Sequence, residues 1–172
     1  MNKNLENVIL ICCIIISVFF GYKIGILLTQ PKGEFYEILE FGNITLKNVT
    51  VYTLHQDYTL VKNFTNLSLD EISTYIYNLP YCREKQYDLK KILEGNCGNC
   101  LSKAILLCSI LKTKNITCII LSSEEYAIPL FKLSSTNKTN KTAWFTTRTT
   151  KETANLTAEE FLNDVHWIFK FD

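Results

Sequence analysis

Between Cys100 and about Lys114 the chain places Leu101, Ala104, Ile105, Leu106, Leu107, Cys108, Ile110 and Leu111 on nearly every face of a helix. A helix that is apolar all round cannot lie on a surface, so other elements must wrap it. The flanking sequence supplies candidates. Phe35 to Val61 is rich in β-branched and aromatic residues and alternates in stretches, which predicts two or three strands with a hairpin broken at Gly42-Asn43. Ser68-Leu-Asp-Glu71 is a capping box that opens a helix through about Asn78, stopped by Pro80. Tyr87 to Leu93 predicts a short helix ending at Gly95. Beyond the central helix, Thr117–Ser122, Ala127–Leu133 and Ala143–Thr149 are strand-like, Thr157–Asn163 is helical, and Val165–Phe171 is a last strand. Strands, then helices, then strands predict an α+β fold with an antiparallel sheet packed on the central helix.

A second apolar run, Val8 to Leu28, is interrupted only by Ser17, Gly21, Tyr22, Lys23 and Gly25. As a helix it would rise about 31 Å, close to the thickness of a bilayer's hydrocarbon core. Lys23 is near enough to its end to snorkel toward headgroups. No small-x-small cleavage site follows, and Gln30-Pro31-Lys32-Gly33 has the character of a linker. The expectation is a transmembrane signal anchor over residues 1–30 and one domain over 31–172, the membrane being a partner through the N-terminal helix. Eight N-x-S/T sequons, at Asn43, Asn48, Asn63, Asn66, Asn115, Asn137, Asn140 and Asn155, all follow this run. That is several times the number the composition gives by chance. Such sites are used on translocated surfaces, so the domain is expected outside the cytoplasm, on a single-pass membrane glycoprotein.

Eighteen Lys and Arg against 17 Asp and Glu leave a net charge of +1, which supplies no basic field for nucleic acid. The hydrophobic fraction of 47% excludes intrinsic disorder. Cys82, Cys97, Cys100, Cys108 and Cys118 lie beyond the membrane run, and five is an odd number. In an oxidising compartment at least one thiol is then unpaired, intermolecular or reactive.

Cys100 opens the apolar helix. Unpaired N–H groups and the helix dipole there favour a thiolate, which predicts a lowered pKa and a nucleophile. The preceding Gly95-Asn-Cys-Gly-Asn99 loop offers N–H donors for an oxyanion. Gly98-Asn-Cys100-Leu-Ser-Lys-Ala104, followed by Leu107, Leu111 and Asn115-Ile116, resembles the signature of transglutaminase-like cysteine proteins. Ala104 matches the small residue four positions after the nucleophile. Asn115 stands for the helix-ending glycine, since Asn tolerates the left-handed cap. Placing Cys97 in the nucleophile slot instead puts Leu101 at the small position and Lys103 on the buried face.

The resemblance implies a transglutaminase-like domain in which Cys100 attacks a carboxamide or peptide carbonyl to form a thioester. The implied activity is that of a cysteine peptidase, amidase or acyl transferase on protein or peptide substrates. It also implies a His on the following strand and an Asp or Asn on the next. Here Tyr126 and Arg148 occupy those slots. His166 is the only downstream histidine and therefore the candidate base, while His55 lies among the N-terminal strands. A second reading is a catalytically inactive transglutaminase-like surface binding domain. A third rests on Cys97-Gly-Asn-Cys100 and Ile128-Pro129-Leu130, reminiscent of thiol-disulfide oxidoreductases. Against it, Leu89–Gly95 is charged and helix-like where that fold needs a buried strand. No cofactor and no metal are expected, because two separated histidines and scattered thiols make no ligand set. Pairing of Cys82 with Cys97 would leave Cys100 free and favour hydrolase or acyl-transfer chemistry; pairing of Cys97 with Cys100 would favour redox chemistry; burial of Cys100 with no His within reach would favour the binding role.

Overall fold

A computed structural model describes residues 33–41, 44–132, 144–146 and 158–172. The first two strands, β1 (Gly33–Phe41) and β2 (Ile44–Leu54), form the expected antiparallel hairpin. The stretch after β2 is not a third strand. Asp57 accepts from the Thr59 N–H and opens a 3-10 helix over Tyr58–Phe64. Helix α1 (Leu69–Asn78) starts at the Ser68 capping box, where Ser68 Oγ accepts from the Glu71 N–H and the Ser68 N–H donates to the Glu71 carboxylate. Helix α2 (Leu89–Gly95) is capped by Asp88 and ends on Asn96, whose φ of 45° is left-handed.

The apolar helix, α3 (Cys100–Thr113), is buried at every residue from Leu101 to Leu111. It packs against Val61 of the 3-10 helix, Ile72 and Ile76 of α1, and Leu89 and Ile92 of α2. The sheet contributes Ile120, Ala127, Phe131 and Phe169 to the same core. A full coat of this kind is what a helix with no polar face requires. Asn115, at φ 59°, ends α3, and the Ile116 N–H reaches back to the Leu111 C=O. Strands β3 (Thr117–Ser122), β4 (Ala127–Lys132) and β5 (Trp144–Thr146) then form an antiparallel meander. A short helix, α4 (Ala158–Asn163), leads to β6 (Trp167–Phe171).

The sheet corrects the predicted architecture. Among the described residues it has six strands in the order β1-β2-β6-β3-β4-β5, and β2 runs parallel to β6 while every other pair is antiparallel. The sheet is therefore mixed, not antiparallel. The cause is the place of β6. It does not add to an edge but inserts between β2 and β3, and the whole helical layer with the β3–β5 meander serves as the crossover that a parallel pair needs. Nor does any described helix have the length and apolarity to cross a membrane, so the expected transmembrane helix is no part of the described fold. Residues 1–32, on which the anchor and the 1–30 boundary rest, lie outside the described residues, as do the Gly42-Asn43 turn, Cys12 and Cys13.

The opposite face of the sheet carries a second core: Leu46, Val49, Val51, Ile119, Leu121 and Ile168, covered by Phe161 and Val165. Leu46 and Val49 both enter it although they are three residues apart on one strand. Asn48, at φ 54°, breaks the alternation between them.

Two disulfides lie among the described residues. Cys82–Cys97 ties the loop after α1 to the loop before α3, and Cys108–Cys118 ties α3 to β3. Their Cα–Cα distances, 5.7 and 5.3 Å, are ordinary for the bond. Disulfides persist in oxidising compartments, which places this as a secreted or extracellular domain.

Candidate functional site

The Cys82–Cys97 pairing leaves Cys100 as the free thiol among the described residues. It stands on the first residue of α3, and the preceding residue holds the helix start. Asn99 is buried, and its side-chain oxygen accepts from the Ser102 N–H at 2.9 Å and from Ser102 Oγ at 3.1 Å. Gly98 is held tightly: a Cβ there would sit 3.1 Å from Ser102 Cβ and 3.3 Å from Lys103 Cγ. Its N–H donates to the Pro80 C=O at 2.9 Å, so this loop donor is spent on structure and does not face an oxyanion.

The sulfur looks toward the start of β4. Cys100 Sγ donates to the Glu125 C=O at 3.5 Å, and the Ala127 N–H can bond the thiolate form. Lys85 is near enough to act electrostatically on the thiol, and its ammonium lies 5.8 Å from the Trp167 ring centre, a cation–π distance. Burial pushes the Cys100 thiol above its ordinary pKa. The Ala127 N–H, the first N–H groups of α3 and Lys85 all pull it down, but burial wins. The lowered pKa predicted from the helix terminus is thus reversed, because the sulfur sits under packed side chains as well as on a dipole.

The histidines stand elsewhere. Trp167 and Phe169 of β6 pack on the core around α3 and Ile168 on the second core, while His166, just before β6, sets its ring edge-on to the Trp167 indole at 5.6 Å between centres and makes no hydrogen bond to Cys100. The His166 N–H donates to the Ser122 C=O and its C=O accepts from Thr50, while its half-exposed ring lies 3.6 Å from the Asp164 carboxylate. His55 pairs with the Asp172 carboxylate near Phe171, at the end of β6 opposite Trp167. Four residues of strand, about 13 Å, separate those two ends. Tyr126, aligned with the histidine of the transglutaminase-like pattern, packs partly buried on the second core. Its neighbour Ala127 faces α3 and is fully buried. Arg148 lies outside the described residues.

The register argument that set Cys97 aside does not discriminate here. Lys103 is buried in any case, with Nζ donating to the Tyr77 C=O at 3.2 Å. Cys97 fails as an attacking thiol for a different reason: it is bonded to Cys82. Sequence reasoning missed Lys85, which no spacing ties to Cys100, and the Cys108–Cys118 bond. The last had a signal in a cysteine on the helix's third turn and another on the strand that follows it. Among the described residues no three His, Cys, Asp or Glu side chains converge as a metal site.

Comparison with protein-family models found no match, and comparisons with curated proteins and with solved structures found none either.

Proposed function

We propose that this chain is a non-catalytic binding domain displayed outside the cytoplasm, attached to the membrane through its apolar residues 8–28 and glycosylated on its sequons. One observation carries the reading. Among the described residues, the polar groups that act on Cys100 Sγ are the Glu125 carbonyl, backbone N–H groups and the Lys85 ammonium, and none of them can accept the thiol's proton as an imidazole would. The raised thiol pKa agrees, since it leaves the sulfur protonated and weakly nucleophilic at neutral pH. The resemblance of residues 98–116 to transglutaminase-like proteins enters as an ancestry of the cysteine helix, with its base absent. Exposed aromatic rings support a binding role. Tyr77 and Tyr81, 38% and 64% exposed, flank the end of α1, and tyrosine is enriched where proteins dock.

The test is an acyl-transfer and hydrolysis assay on the full chain, using a glutamine-containing peptide with and without a primary-amine probe. The expected result is no turnover and no thioester on Cys100 by intact mass. A thioester that forms on the wild type and is lost in Cys100→Ala would overturn the reading and restore the nucleophile.

A further inference from the structure

A half-open cavity lies far from the thiol, where α3 hands over to β3. It has a volume of about 230 Å³ and is lined by Lys112, Asn115, Thr117, Phe171 and the Cys108–Cys118 disulfide. That is below the roughly 300–1,000 Å³ of sites for drug-sized ligands and suits a single sugar ring. Its lining is mixed in the way a sugar is mixed. Phe171 and the disulfide offer apolar surface. The Lys112 ammonium, which donates to the Phe171 C=O at 3.3 Å, and the Thr117 hydroxyl offer hydrogen bonds.

Asn115 and Thr117 are also the two recognition residues of the sequon Asn115-Ile-Thr117, and both are exposed. Asn115, left-handed at φ 59° just past the end of α3, is exposed and lines the cavity at the same time. Three other sequons lie on described residues, at Asn48, Asn63 and Asn66. Each is exposed, and none lines this cavity.

We propose that Asn115 carries an N-linked glycan whose first N-acetylhexosamine seats in this cavity, over the Cys108–Cys118 disulfide and against Phe171. The transfer uses a polyprenyl-pyrophosphate-linked sugar as donor. The Asn115 amide nitrogen bonds to the anomeric carbon and loses one proton, and the bond from that carbon to the pyrophosphate oxygen breaks, releasing the pyrophosphate. The inference rests on the extracytoplasmic reading above. It adds that this one glycan is part of the fold, covering the joint that holds α3 to the sheet.

The experiment expresses the full chain in a eukaryotic secretory host and maps each sequon by peptide mass. Thermal unfolding is then followed after two treatments: trimming every glycan to its first sugar, and removing the glycans entirely. Asn115 should be occupied, trimming should leave Tm unchanged, and full removal should lower it by about 2–4 °C. Thr117→Ala, which keeps Asn115 but destroys the sequon, should reproduce that fall, and Thr117→Ser, which keeps the sequon, should not. An unmodified Asn115 beside occupied Asn48, Asn63 or Asn66 overturns this inference alone. So does an occupied Asn115 whose removal leaves Tm unchanged. Absence of glycan from every sequon overturns the extracytoplasmic reading with it.

Discussion

Replacing Asn99 by Ala separates the cap of α3 from everything else the helix does. Asn99 is 6% exposed and Ser102, which it caps, is 0% exposed, so water cannot take over the lost bond. The Ser102 hydroxyl survives the change, because it still accepts from the Gln86 N–H at 3.1 Å and donates to the Gln86 C=O at 3.2 Å. The Ser102 N–H does not, since its acceptor at 2.9 Å is gone. An exposed N-cap is worth about 1 kcal/mol on removal, and a buried orphaned donor adds about another 1–3 kcal/mol. We expect a loss of about 2–4 kcal/mol in urea unfolding with both disulfides intact, at unchanged m value. Asn99→Ser, which restores an acceptor at the cap, should recover most of the loss. A loss below about 0.5 kcal/mol, the size of a surface substitution, would refute the assignment of Asn99 as a buried cap.

Ser109 lies in the middle of α3, fully buried, with no hydrogen-bond partner for its hydroxyl among the described residues. Ser109→Ala should therefore raise stability by about 1 kcal/mol in the same urea assay, and a loss of that size would mean that the hydroxyl has a partner. Stability should also fall on the alkaline side. Burial, with the Asp172 carboxylate second, pushes Tyr58 up to about 12, so the folded state keeps a proton that the unfolded state releases above about pH 10. The unfolded state then binds fewer protons, and stability declines as pH rises between about 10 and 12. Cys100 and Tyr87 are raised by burial in the same direction and add to the slope. Urea midpoints across this range should fall less steeply in Tyr58→Phe than in the wild type, and equal slopes would count against the assignment.

Local structure was legible wherever a side chain acts on its own backbone. The Ser68–Glu71 capping box, the hairpin and the left-handed Asn115 are short-range devices, and the sequence carries all of their parts. The wrapped helix was legible for a global reason: residues 101–111 leave no face for water. The strand order was not. Nothing in Trp167–Phe171 distinguishes an edge strand from one inserted between β2 and β3, because its pattern of buried residues is set by both neighbours and both cores. The thiol followed the same rule. A helix N-terminus argues for a thiolate from the chain alone, whereas the burial that outweighs it arises in the folded chain, which brings Glu125 and Ala127 at the start of β4 to the sulfur.

This geometry also bears on how the cysteine could gain a base. The sulfur faces the start of β4, where two positions come into question. Position 127 points the right way but is packed against α3 with no exposed surface, so an imidazole in place of the Ala127 methyl would overfill the core, at a cost of about 1–3 kcal/mol or more. Position 126 has room, because Tyr126 is only partly buried, but the strand's alternation turns it to the second core. His166 stands just before β6 with its ring edge-on to the Trp167 indole and makes no hydrogen bond to Sγ. A base placed on the start of β4 would thus need either a repacked core around 127 or a register change that turns 126 toward α3. The fold that positions the sulfur so firmly is the same one that keeps a base from it.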